Sequence, residues 1–119
     1  MANQPELKLM QQCYKFFHNH YPSKRGLLWK TENERKRNRY EQSIAKSTGL
    51  VAGVSDFIAL YRGNFHAIEL KTDKGTLSKP QKRWALKIEI QGGTYTVIRS
   101  LSEFQELIRG IFGDPELKP

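Results

Sequence analysis

The chain has 119 residues and a mass of 13.8 kDa, with 20 Lys and Arg against 12 Asp and Glu, a formal charge of +8 and a pI of about 9.7. That length holds one domain with a real core and no room for a second, and the charge points to a polyanionic partner, nucleic acid first and an acidic membrane second. The single cysteine, Cys13, excludes a disulfide framework or a cysteine-based zinc site. It also fits a reducing compartment. No apolar run is long enough to span a bilayer and the N-terminus lacks a signal-peptide apolar segment, so a cytoplasmic location is expected, the host cytoplasm if the protein is viral.

In chain order, Pro5 to about His20 reads as a helix with Met10, Cys13, Tyr14 and Phe17 at core spacing, which makes Cys13 a packing residue and not a nucleophile. His18-Asn19-His20 spells HNH, but consecutive residues at a helix end point in different directions, and the nuclease motif of that name is spread over a far longer stretch. Pro22-Ser23 breaks the helix and Gly26 to Thr31 is a short strand. Glu34 to about Thr48 is polar and basic and reads as a surface helix. The run Gly53 to Lys71 reads as two strands of a hairpin joined by a turn that contains Gly63-Asn64. After the loop Thr72-Asp73-Lys74-Gly75-Thr76, a helix runs from Lys79 to about Ile90 and stops at Gly92-Gly93. Thr94 to Arg99 is a strand, and Leu101 to Ile111 a last helix with Leu101, Phe104, Ile108 and Ile111 inward. Residues 1–112 make the domain, and 113–119 read as a disordered tail. The order α-β-(α)-β-β-α-β-α gives an α/β fold, a mixed sheet flanked by helices.

The hairpin concentrates the chemistry. Strand side chains alternate, so Glu69 and Lys71 point the same way. With Arg62-Gly63 as the turn, Asp56 falls opposite Glu69; with Gly63-Asn64, it falls opposite Lys71. Either register gathers two carboxylates and one ammonium on a face shared with Ile58, Leu60, Phe65 and Ala67. Like charges set opposite one another cost some fraction of ~1 kcal/mol when exposed and more when buried. A divalent cation removes that repulsion, and oxygen ligands suit Mg²⁺ or Mn²⁺. The plain alternative is a surface hairpin with an incidental Glu-Lys pair, which contributes little; the apolar company of the charges argues for a site. His66 falls on the opposite face as a packing residue.

The basic charge is clustered on both sides of this hairpin. Ser23 to Lys46 carries Lys24, Arg25, Lys30, Arg35, Lys36, Arg37, Arg39 and Lys46 against Glu32, Glu34 and Glu41. Lys71 to Lys87 carries Lys71, Lys74, Lys79, Lys82, Arg83 and Lys87 against Asp73 alone. A charge run is usually a solvated face, but two such runs flanking a carboxylate pair favour phosphate contacts. Arg35, Lys36, Arg37, Arg39, Lys74, Lys79, Lys82 and Arg83 are the candidates for contacting DNA.

Gly49-x-x-Ala52-Gly53-Val54-Ser55-Asp56, Ile68-Glu69-Leu70-Lys71, Gly75-Thr76-Leu77-Ser78 and Gln81-x-x-Trp84 together resemble the VRR-NUC nucleases of the PD-(D/E)xK, restriction-endonuclease-like superfamily. The small size is similar to that of stand-alone phage and bacterial members. The resemblance implies an αβββαβ core and a Mg²⁺- or Mn²⁺-dependent phosphodiesterase. By it, Asp56 is the central metal ligand, Glu69 the second carboxylate and the Leu70 carbonyl a backbone ligand. Lys71 would orient the attacking water and offset charge on the phosphorane, as a compact cation can. Gln81 matches the family glutamine that contacts water or phosphate, although Ser78-x-x-Gln81 is also a capping box. Glu6 is the only acidic candidate for the glutamate that family members carry on the first helix, and an ordinary glutamate at a helix N-terminus is an equal reading. The family usually has proline where this chain has Ser55, a change expected to loosen geometry without removing a ligand.

The reading that follows is a metal-dependent DNA endonuclease selective for branched substrates such as Holliday junctions or flaps, because so small a domain has little room to read bases. If it forms a homodimer, two sites would cut two strands of a junction. The alternatives are a non-catalytic nucleic-acid-binding module on the same fold, and a small interaction factor whose charge serves solubility.

Overall fold

The structure, a computed structural model, describes residues 4–32 and 37–117. The elements are α1 (Gln4–His20), a 3₁₀ turn (Pro22–Lys24), β1 (Leu28–Lys30), α2 (Arg39–Ser47), β2 (Phe57–Tyr61), β3 (Asn64–Leu70), α3 (Lys79–Ile90), β4 (Thr94–Ile98) and α4 (Leu101–Phe112). They follow the expected order, an α/β fold with a mixed sheet flanked by helices. The sheet runs β1-β2-β3-β4, antiparallel except for β3 and β4, which are parallel and joined by the crossover helix α3. None of the described helices is long and apolar enough to cross a membrane.

Local chemistry sets the helix ends. In α2 the Asn38 side chain accepts from Glu41 N–H at 2.7 Å while the Glu41 carboxylate accepts from Asn38 N–H at 3.1 Å. Ser78 and Gln81 close the same reciprocal box on α3, and Ser100 caps α4 through Glu103 N–H at 3.1 Å. α2 therefore starts at Arg39, after its cap, and Glu34, the start expected from the sequence, lies outside the described residues.

The main core fills one face of the sheet. Cys13, Phe16 and Phe17 of α1, with Tyr21 just beyond it, and Phe104, Ile108 and Phe112 of α4 pack on Leu28, Phe57, Ala59, Ile68, Leu70 and Ile98. Each fully buried aromatic or aliphatic side chain here contributes about 1.5–3 kcal/mol. Burial pushes the Cys13 thiol up to about 12, so it stays protonated and packs as expected. Two details differ from the sequence pattern. Phe16 is in the core, whereas Tyr14 sits at the rim, 38% exposed, against Phe57. α4 runs to Phe112, which enters the core while Leu101 and Ile111 are only partly buried. His66 lies on this face, half-buried, with Nδ1 2.8 Å from Thr94 Oγ1; desolvation lowers its pKa. On the opposite face α3 is seated by Trp84, whose ring meets Phe65 at 6.5 Å and Tyr95 at 6.0 Å.

Residues 113–117 have specific partners, unlike the disordered tail that composition predicts. Tyr21 Oη donates to Gly113 O at 2.8 Å, and Glu116 N–H donates to His20 O at 2.8 Å. The Glu116 carboxylate accepts from the Ser23 hydroxyl, from Ser23 N–H at 2.9 Å and from Lys24 Nζ at 2.9 Å. A short polar segment thus gains order from an anion seat on the 3₁₀ turn. Those bonds, the Ser23 hydroxyl first, hold the Glu116 carboxyl at about 2, below its ordinary 4.5. A depressed folded pKa stabilises above the unfolded value and loses that stabilisation as pH falls. Thermal melts of wild type and Glu116→Gln should therefore differ at pH 7, converge as pH drops below about 4.5, and coincide only below about pH 2. A difference that stays constant across that window would contradict the anion seat.

Candidate active site

The turn between β2 and β3 decides where the carboxylates meet. Arg62 and Gly63 have φ of 50° and 80°, the two positive values of a tight two-residue hairpin turn. Tyr61 then pairs with Asn64 and Phe57 with Ile68, so of the two registers open to the sequence the structure takes the one with Asp56 opposite Glu69. Asp56 sits just before the ladder begins, and its Oδ2 accepts from Leu70 N–H at 2.8 Å. In an extended strand the N–H and C=O of one residue point to the same side, so the Leu70 carbonyl is directed toward the Asp56 edge as well.

Glu69 is 1% exposed. Its Oε1 is sealed from solvent, and its Oε2 accepts from Gln81 Nε2 at 3.1 Å and stands 3.7 Å from Lys71 Nζ. Gln81, 5% exposed, serves two purposes with one amide: Oε1 closes the α3 capping box on Ser78 N–H at 2.8 Å, and Nε2 holds Glu69. The capping and the site readings of this glutamine both hold, because the two ends of the amide point opposite ways. Lys71 is half-buried where β3 ends, with its N–H bonded to Ile98 O at 3.0 Å. Asp56, Glu69, Lys71 and Gln81 thus converge on one side of the sheet.

Three supports of this geometry were not legible as such. Gly53 has φ of 86°, and a Cβ there would stand 2.3 Å from Pro80 O and 2.8 Å from Gln81 N. Only glycine lets the strand that delivers Asp56 pass over the start of α3. Ser55 tightens the approach where looseness was expected: it is fully buried, its hydroxyl donates to Phe57 O at 2.9 Å, and its carbonyl accepts from the Thr31 hydroxyl. Arg99 donates from one guanidinium nitrogen to Thr72 O and Gly75 O, both at 2.8 Å, and fastens the loop that follows Lys71. No spacing or motif in the sequence marks Arg99.

The two basic runs meet here. Arg37, Gln42 and Lys46 line a groove of about 230 Å³ with Gly53, Ser78 and Gln81. Arg83 and Lys87 line an adjoining hollow of about 230 Å³, and the two share Val51, Ala52 and Pro80. Arg39, Lys74, Lys79 and Lys82 are exposed around this region's elements and line neither groove. Arg35 and Lys36 lie outside the described residues. Glu6 is half-buried in the first turn of α1. It is not gathered with Asp56 and Glu69, since no three His, Cys, Asp or Glu side chains converge among the described residues.

The VRR-NUC domain family model matches residues 4–101, which contain every one of these groups. The chain belongs to the VRR-NUC family. Two solved structures share the fold. A VRR-NUC domain protein superposes with a TM-score of 0.70 at 16% identity over 98% of this chain and 100% of its own, and a VRR-NUC domain with 0.62 at 17% identity over 92% and 100%. No curated protein matches the sequence. The family makes this a nuclease-like domain with nucleic acid as its class of substrate.

Because Gly53 lets the chain pass, Gly53→Ala should cost at least about 1–3 kcal/mol through backbone strain alone, with the Pro80 contact added. Urea unfolding measures it; a variant as stable as wild type would show that the crossing over α3 is not this close.

Proposed function

We propose that the protein is a Mg²⁺- or Mn²⁺-dependent DNA endonuclease that hydrolyses phosphodiester bonds, with preference for branched substrates. The observation that carries this reading is Glu69: an acidic side chain 1% exposed, opposite a second carboxylate and held from two directions by Gln81 and Lys71. Burying such a group costs several kcal/mol unless its charge is used. The donors gathered here are oxygens, two carboxylates and the Leu70 carbonyl, which is the set a hard divalent cation takes with water completing its coordination. Asp56, Glu69 and Leu70 would hold the ion, which when bound acidifies water and neutralises phosphate charge.

The chain's own groups supply the rest. Asp56 is oriented by Leu70 N–H and Glu69 by Gln81, so both carboxylates are already directed before substrate arrives. Lys71 presents a cation beside Glu69, where it would orient the attacking water and offset charge on the pentavalent phosphorane. Arg37, Lys46, Arg83 and Lys87 would seat the phosphate backbone in the two adjoining grooves. The domain is too small for elaborate base reading, which favours recognition by DNA shape. A homodimer would let two sites act on two strands of a junction.

Cleavage of labelled four-way junction, flap, splayed-arm and linear duplex DNA with Mg²⁺, Mn²⁺ or EDTA tests the proposal. Wild type should cut with either metal and not with EDTA, and should cut branched DNA fastest. Lys71→Ala should lose about 100-fold or more, and so should Asp56→Asn, which retains an acceptor for Leu70 N–H. Salt-sensitive binding by all three proteins with no cutting on any substrate would establish a binding module instead.

A further inference from the structure

Tyr95 is paired with Ala67 across the parallel β3–β4 ladder, and Glu69 with Val97, so Tyr95 shares the face of Glu69 one pleat away. Its ring is held edge-on by Trp84 at 6.0 Å. Trp84 stands one helical turn after Gln81, and so Tyr95 is enclosed by the same helix that holds Glu69. The residue as a whole is partly exposed, but its hydroxyl is sealed from solvent. That hydroxyl has no hydrogen-bond partner among the described residues. Buried hydroxyls nearly always have one, and burying an unsatisfied hydroxyl is unfavourable where a phenylalanine would fill the same volume without it.

The direction of the field is informative too. Burial above all, then the negative charges of Glu69 and Asp56, push the Tyr95 phenol well above its ordinary pKa. It therefore remains an O–H donor on the face of the sheet that carries Glu69. Sequence reading gives no hint of this, because a tyrosine in a Thr-Tyr-Thr-Val-Ile strand is ordinary strand composition.

Resting on the reading of this carboxylate pair as a cation-dependent nuclease site, we propose that Tyr95 is a positioning residue whose hydroxyl donates to Glu69 when Asp56 and Glu69 hold a divalent cation. A donor behind a ligating carboxylate fixes its orientation, and removing such a donor typically weakens metal affinity 10- to 100-fold. The hydroxyl does nothing for the protein without the ion, which separates this role from ordinary packing.

Calorimetric titration of Mn²⁺ into metal-stripped wild type and Tyr95→Phe, beside thermal melts of both metal-free proteins, tests the proposal. The expected result is a Mn²⁺ Kd raised about 10-fold or more in Tyr95→Phe, with a metal-free midpoint equal to or above that of wild type. Equal Kd values in the two proteins would overturn the role of Tyr95 and leave the nuclease reading standing. A lowered metal-free midpoint would also overturn it, since the hydroxyl would then be serving the fold itself. If wild type takes up no Mn²⁺ at all, the nuclease reading falls and this one with it.

Discussion

Everything around the sheet's open end depends on keeping a carboxylate, that of Glu69, inside the protein. A buried anion needs hydrogen bonds or countercharge at close range, and here these come from two different elements. Gln81 reaches it from the first turn of α3, and Lys71 from just past the end of β3. Gln81 can do so only because its own helix start is fixed by Ser78, and that start is fixed against the Asp56 strand by a glycine that lets the backbones touch. The cap, the close crossing and the carboxylate form one mechanical unit. Disturbing any part of it moves the others.

The fold separates support from chemistry by face. One side of the sheet is the aromatic core of α1 and α4, and the stability of the domain lies mainly there. The other side carries α3, the carboxylate pair and the basic grooves. This division lets a polar site exist in a chain of this size, because losing packing quality around Glu69 does not open the main core. The approach to Asp56 belongs to both: Ser55 is buried and bonded to Phe57 O, and Phe57 itself is in the core, so the catalytic candidate is anchored from behind.

The elements and the carboxylate pair were legible because they rest on local rules. Alternation along Phe57–Tyr61 and Asn64–Leu70 put Glu69 and Lys71 on one face, and Ser78-x-x-Gln81 announced a helix start. The register was not decided by alternation, since both turns gather the same charges; it took the positive φ of Arg62 and Gly63 to choose. Arg99 and Tyr95 were invisible for a different reason. Arg99 bonds three loop carbonyls 24 to 27 positions away, and Tyr95 lies across a parallel ladder from β3 on the face of Glu69; no local pattern encodes either placement. The fixed path of residues 113–117 is of the same kind: nothing in Asp114-Pro115-Glu116 announces that Ser23 and Lys24 will be waiting for it.

The central claim is that Asp56, Glu69 and the Leu70 carbonyl form one cation site. Anomalous diffraction from crystals soaked in Mn²⁺ tests it most directly. The account predicts a peak between the Asp56 and Glu69 carboxylates, within bonding distance of the Leu70 oxygen. Peaks confined to other surfaces, with none between the Asp56 and Glu69 carboxylates, would contradict it.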